Sequence, residues 1–228
     1  MNVCDASHRP LSRARVAALA AFVVASCLAG CGILGKTVPE RFHTLLPEAG
    51  AAAAAPAPAP VHIDVLPVAV PAQVDHAQWV VRQPDGSLLM LEQDRWAASL
   101  PDELRGALVD GLAARWGGVD VRSVGAPATA VWRVRVDVQR FESVPGREAR
   151  LEAAWSVSLP PSSAVREGRS LVCRDAFAEP VGQPSVDALA AGHRRNVARL
   201  VDAIGQRLQG MAAGGSAGCR GGGPPGQP

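Results

Sequence analysis

Leu28-Ala29-Gly30-Cys31 is the stretch of this 228-residue chain best equipped for chemistry. Small residues leave the backbone open to a peptidase, and the thiol that follows can take an acyl group. Other reactive residue types are present but poorly assembled. Gly214-Gly215-Ser216-Ala217-Gly218 fits G-x-S-x-G, but a nucleophile elbow needs a strand before its serine and a helix after it. Here the serine stands in a Gly-rich tail. The Gly210 region lacks the Gly-Lys pair of a phosphate loop. His43, His62, His76 and His193 are far apart, with no H-x3-H spacing and no paired cysteines, so they carry no metal signature. His193 falls beside a helical apolar stripe, where a packed imidazole is the expected reading rather than a catalytic base. Asp102 and Glu103 sit at a helix start, which explains them electrostatically. Arg194-Arg195 reads as a solvated helix face. The expectation is a protein with no catalytic set, no metal and no cofactor.

Stepping outward from Cys31, Arg9, Arg13 and Arg15 precede an apolar run from Val16 to Leu28. The run is too short to span a bilayer as a helix, so it reads as a secretory signal. Leu-Ala-Gly-Cys is similar to the lipobox of bacterial lipoproteins. The similarity implies cleavage between Gly30 and Cys31 and acylation of Cys31, with palmitate-type chains as the only covalent group. A buried chain contributes about 0.8 kcal/mol per CH₂, and two or more give stable anchoring. In such proteins an Asp after the cysteine commonly retains the protein in the inner membrane. Gly32 at that place implies the outer membrane. Loss of residues 1–30 leaves 20 basic and 20 acidic residues (23 less three Arg, 21 less one Asp). A neutral mature chain argues against a nucleic-acid partner. Cys173 and Cys219 also survive the cut. They are open between a disulfide, which the exported compartment permits, and a buried Cys173 with Cys219 in an unfixed tail.

The remaining chain must supply elements that position these groups. Residues 49–60 are Ala and Pro, a semi-rigid spacer of polyproline type. The spacer is either a stalk or a loop inserted in the domain, depending on whether Phe42 to Leu46 is a true first strand. Val61 to Val65 alternates as a strand. Trp79 to Arg82 and Leu88 to Leu91 flank Pro84-Asp85-Gly86-Ser87 as a hairpin. Ser99, Pro101, Asp102 and Glu103 open a helix whose stripe is Leu104, Leu108, Leu112 and Trp116, and Gly117-Gly118 closes it. Val131 to Phe141, Arg150 to Leu159 and a weaker Arg169 to Ala178 read as strands with one wet face. Ser185 caps a second helix from about Val186 to Leu208. The pattern predicts an α+β fold, an antiparallel sheet with two amphipathic helices packed on one face. Residues 1–30 are read as the signal peptide, 31–60 as the lipidated N-terminus and linker, 61–209 as the domain and 210–228 as a disordered tail.

Laid out this way, several pieces resemble one family. Ile63 to Pro71 resembles its opening strand with trailing proline, and Ala77 to Arg82 its next strand. Arg95-Trp96-Ala97-Ala98-Ser99-Leu100 resembles the tryptophan motif leading into its first helix. Phe42-His43-Thr44-Leu45 is similar to its short strand after the lipidated cysteine. The family is that of the ABC-type transport auxiliary lipoproteins, the PqiC-like group, and the resemblance spans roughly residues 31–208. It implies a non-enzymatic outer-membrane lipoprotein facing the periplasm. Such a protein works with an MCE-domain protein and its ABC transporter in moving lipid between the membranes and supports envelope integrity. It implies structural roles for Trp79, Arg95, Trp96 and Leu100. Two other readings stand beside it: another envelope assembly or secretion lipoprotein, and a small periplasmic hydrolase. With both helix stripes used on the sheet, the outer sheet face is left for contact. Arg133, Arg135, Asp137, Arg150 and Glu152 lie there, and their mixed charge is expected to bind partner protein, or a second copy, rather than to enclose lipid.

Overall fold

Alternating apolar residues set the sheets, and caps set the helices. The computed structural model describes residues 38–47, 59–125, 130–162, 165–215 and 218–219. Nearly all of them belong to one unit, Glu40–Pro228. The lipobox with Gly30 and Cys31, most of the Ala/Pro tract and Ser216 lie outside the described residues.

Eleven elements follow in order among those described. Strand β1 is Arg41–His43, β2 is Val61–Val65, β3 is Gln78–Arg82 and β4 is Leu88–Trp96. Helix α1 is Leu100–Trp116, followed by β5 at Gly118–Asp120 and a one-turn helix α2 at Val121–Val124. Strands β6 (Trp132–Val144), β7 (Glu148–Leu159) and β8 (Arg169–Pro180) lead to α3, Val186–Ala212. The fold is α+β. Its sheets are mixed, which corrects the expectation of one antiparallel sheet. A five-stranded sheet has the order β5-β2-β6-β7-β8, and a three-stranded sheet the order β1-β4-β3. β2 runs parallel to both β5 and β6, and β1 parallel to β4. Alternation fixes which residues face inward but not strand direction. The parallel β2–β6 pair needs a long crossover, and the β3–β4 hairpin with α1 supplies it.

Both long helices pack on one face of the larger sheet. Ser99 caps α1 by accepting from the Asp102 amide, and Gly117 ends it in the left-handed region at φ 66°. Leu104, Leu108 and Leu112 are buried as predicted, whereas Trp116 is half-buried and donates from Nε1 to Asp202 at 3.1 Å. Arg105 ties α1 to the sheet, donating to the Val65 carbonyl at 2.9 Å and to Asp120 at 3.1 Å. Helix α3 buries Leu189, Val197, Leu200, Val201, Ile204 and Leu208. Its Asn196 donates to the Ala149 carbonyl of β7 at 2.8 Å. The two helices approach closely where Gly111 faces Val201, leaving no room for a Cβ.

Two further expectations change. Strand β1 is paired and Leu45 is buried, so the Ala/Pro tract falls between two strands of the packed unit rather than before it. The tail begins later than composition suggested: Gly210, Met211 and Ala212 continue α3, and Met211 is buried. Cys219 is also fixed, by a disulfide to Cys173 of β8 with Cα atoms 5.5 Å apart.

Candidate functional site

The tryptophan motif lies where the two sheets and α3 meet. β3 brings in Trp79 and the end of β4 brings in Trp96, and their rings stack at 4.0 Å. Leu100, the first residue of α1, is buried beside them in the same core. Phe141 of β6 meets Trp96 edge-on at 5.9 Å and stacks on His193 of α3 at 3.8 Å. His43 of β1 meets Trp79 edge-on at 5.3 Å. Arg95, in contrast, reaches outward to Glu40 at 3.0 Å. Three of the four motif residues are thus core.

Polar groups thread this cluster in two chains. In the first, Trp79 Nε1 donates to Ser143 Oγ at 3.1 Å, and Ser143 Oγ lies 2.9 Å from His193 Nε2. Oγ accepts from the tryptophan; the direction of its bond to Nε2 is set by the histidine tautomer, and Nδ1 has no hydrogen-bond partner among the described residues. Burial pushes the His193 pKa down to about 3, so the ring is neutral. A serine hydroxyl on an imidazole is the pairing of an activated nucleophile. Ser143 and His193 are 2% and 0% exposed, however, and Trp79 and Phe141 cover them, so no substrate atom can reach the oxygen. The pair is a core hydrogen bond, as the sequence suggested for His193.

In the second chain, His43 Nε2 lies 2.8 Å from Asp94 Oδ1, and Arg41 pairs with the same carboxylate at 2.8 Å. Burial alone would raise the Asp94 pKa. The hydrogen bonds and charges of Arg41 and His43 outweigh it and hold the carboxyl below its ordinary value. Close by, the buried Glu103 accepts from the Thr44 hydroxyl at 2.6 Å and from the Leu45 and Ala98 amides at 2.8 and 3.1 Å. Glu103 thereby locks the chain after β1 onto the start of α1. Sequence reasoning assigned Glu103 only to the helix dipole and missed Asp94 altogether. The one available signal was an acid on a strand directly before Arg95-Trp96.

Among the described residues, three surface features suit contact with a partner. On the β3–β4 hairpin, the consecutive Leu88, Leu89 and Met90 are each more than 40% exposed. An apolar groove of about 220 Å³ runs between α1 and α3 over Ala107, Gly111, Ala114, Val197 and Val201. The outer face of the five-stranded sheet carries the expected charges, with Arg133, Arg135 and Asp137 exposed and Arg150 and Glu152 half-buried. Among the described residues, no group of three or more His, Cys, Asp or Glu stands close enough to hold a metal.

A family profile described as the ABC-type transport auxiliary lipoprotein component matches residues 43–205. The chain belongs to this family. The matched span holds Trp79, Trp96, Leu100, the Trp79–Ser143–His193 chain and the His43–Asp94 pair, with Arg41 just before it. A solved structure of an uncharacterized protein is similar at 15% identity, covering 75% of this chain and 99% of the other, with a TM-score of 0.57. A Xanthomonas campestris protein of the DUF330 family shares 18% identity over 68% of this chain and 88% of its own, with a TM-score of 0.48. The first of these likenesses shows the fold. No curated protein matches by sequence.

Proposed function

We propose that this auxiliary lipoprotein is cleaved behind Gly30, acylated at Cys31 and held on the periplasmic face of the outer membrane. There it serves an MCE-type lipid transport system, docking the far end of an MCE-domain assembly that an ABC transporter drives from the inner membrane. The observation that carries this reading is the family match over residues 43–205, with Leu28-Ala29-Gly30-Cys31 directly upstream. The geometry supports it from another side. The Ser143–His193 pair is sealed in the core, and the exposed features are surfaces suited to contact. The hairpin residues Leu88, Leu89 and Met90 are the apolar surface we assign to the MCE partner, since side chains of this kind gain most from being covered.

The test is purification of the acylated chain from detergent-solubilised envelopes. An MCE-domain subunit should co-elute with it, and Leu88→Glu with Met90→Glu should remove that subunit while the protein stays folded and outer-membrane associated. Fractionation with the inner membrane, or an eluate free of any MCE subunit, would refute the proposal.

A further inference from the structure

The outer face of the five-stranded sheet is two surfaces, not one. Register places its outward residues in rows. Arg140 faces Glu152 and then Ala176, and Glu142 faces Arg150 and then Ala178. In this half the charges satisfy each other. Arg140 pairs with Glu142 at 3.1 Å and Glu152 at 3.0 Å, Arg150 with Glu148 at 3.1 Å, and Arg82 of β3 with Glu142 at 2.7 Å.

The other half is built differently. Its rows run Arg133–Ser158–Ser170, Arg135–Ser156–Val172 and Asp137–Ala154–Arg174. Arg133, Arg135 and Arg174 are exposed and have no carboxylate partner among the described residues, while nearby Asp64 is already taken by Arg122 at 2.9 Å. Three free guanidinium groups therefore stand against one carboxylate, Asp137. Strand geometry sets Arg133 and Arg135 about 7 Å apart along β6, and Arg174, two strands over in the row of Asp137, lies about 12 Å from Arg135 and about 17 Å from Arg133. Between them β7 shows only Ala154, Ser156 and Ser158, so the floor is flat. Val172 projects from it, 71% exposed.

We propose that this half of the sheet rests on an anionic phospholipid surface, with the three arginines on lipid phosphates and Val172 at the headgroup level. The proposal rests on the lipid-anchored reading above. Charge complementarity calls for an anionic partner. The choice of a membrane over an acidic protein follows from what the face lacks. Specific protein interfaces are anchored by aromatic or large apolar residues set in pockets. Among its described residues this half carries no Trp or Phe, and Val172 is its one large exposed apolar side chain, beside the small Ala154. A plane of many mobile negative charges needs no such anchors. It rewards forked donors that fit phosphate in two-point fashion. The magnitudes agree with a tethered role. Each arginine at an anionic surface adds roughly fivefold to partitioning, so three add on the order of a hundredfold. That is weak for a free protein and ample for one already held at the surface by acyl chains, where it sets orientation.

The test uses the full acylated chain reconstituted in vesicles. A donor dye is placed at Ala178→Cys, which is exposed on the same face outside the arginine half, and in a second sample at Ala113→Cys on the helix layer. Acceptor dye is carried on the lipid headgroups. Replacing part of the phosphatidylcholine by phosphatidylglycerol should raise energy transfer from position 178 and not from position 113. Combined Arg133→Gln, Arg135→Gln and Arg174→Gln should abolish that rise, as should high salt, whereas Arg147→Gln, an exposed control, should leave it. Equal transfer with and without phosphatidylglycerol, or a rise that survives the triple substitution, would overturn the proposal. An acidic protein that binds this face through the same arginines, with no response to phosphatidylglycerol, would overturn it too. None of these outcomes touches the co-elution of an MCE subunit. A chain that never enters the vesicles reports instead on acylation of Cys31.

Discussion

His193 makes the stability of this protein depend on pH in a way that can be worked from its surroundings. The ring is fully buried, stacked on Phe141 at 3.8 Å, and its pKa is pushed from 6.5 to about 3. Folding therefore favours the neutral imidazole. As pH falls below 6.5 the unfolded chain takes up a proton at this position and the folded chain does not. The stabilisation is fully present above pH 6.5 and is lost as pH falls towards 3. Linkage gives about 1.4 kcal/mol per pH unit over that window, so near pH 4.5 the loss from this residue is about 3 kcal/mol. Other groups titrate in the same range, Asp94 among them, so the wild-type curve alone does not isolate the effect. The informative quantity is the difference between wild type and His193→Gln, whose amide can still hydrogen-bond to Ser143. Urea unfolding at a series of pH values from 7.5 to 4.5 should show the variant less stable at pH 7.5. The gap should then close by about 3 kcal/mol at the acid end. A difference that stays constant across the series would mean that His193 takes up its proton in the folded chain as readily as in the unfolded one, and the account of its burial would fail.

Trp96→Ala should lower stability by about 3–5 kcal/mol, because it empties the space between Trp79 and Phe141; an unchanged urea midpoint would refute this. Cys219→Ser opens a bridge spanning 46 residues and should cost about 2–4 kcal/mol, read as a fall in melting temperature that reductant reproduces in the wild type. Glu103→Ala leaves the Leu45 and Ala98 amides without their acceptor and should cost about 2–5 kcal/mol, with hydrogen exchange rising first at those two amides. Cys31→Ala should abolish acylation and release the chain from the membrane fraction or leave it as uncleaved precursor; normal processing and fractionation would contradict the lipobox reading.

The parts of the fold that were legible in the sequence are those governed by short-range rules. The hairpin across Asp85-Gly86, both helix caps and the inward set of β6 and β7 follow from turn chemistry, capping and alternation. β5 and α2 were not legible, since three or four residues carry no period, and Gly118–Asp120 becomes a strand only because β2 lies beside it. The same limit hid the buried polar chains. His43 and Asp94 are 51 residues apart, Ser143 and His193 are 50 apart, and only the completed fold joins them. The disulfide was open for a related reason. Composition makes the tail look loose, while an inward-facing Cys173 on β8 is what gives Cys219 a fixed partner. On the outer sheet face the charged residues were legible singly. Their division into a paired and an unpaired half depends on register.

The way β1 is fastened has a mechanical consequence. Any load on the N-terminal segment enters the unit at Glu40 and Arg41, on a strand of three residues. Such a strand would peel easily if backbone hydrogen bonds alone held it. Here the ion pairs of Glu40 with Arg95 and Arg41 with Asp94, the His43–Asp94 bond and the Glu103 grip on Thr44 and Leu45 follow one another within six residues. They act as a row of rivets at the point of entry. A pull along the axis of β1 would shear it against β4 and load these links together rather than one at a time. Under such a pull the chain from Glu40 to Leu45 would be held to β4 and to the start of α1 by side chains as well as by the strand itself.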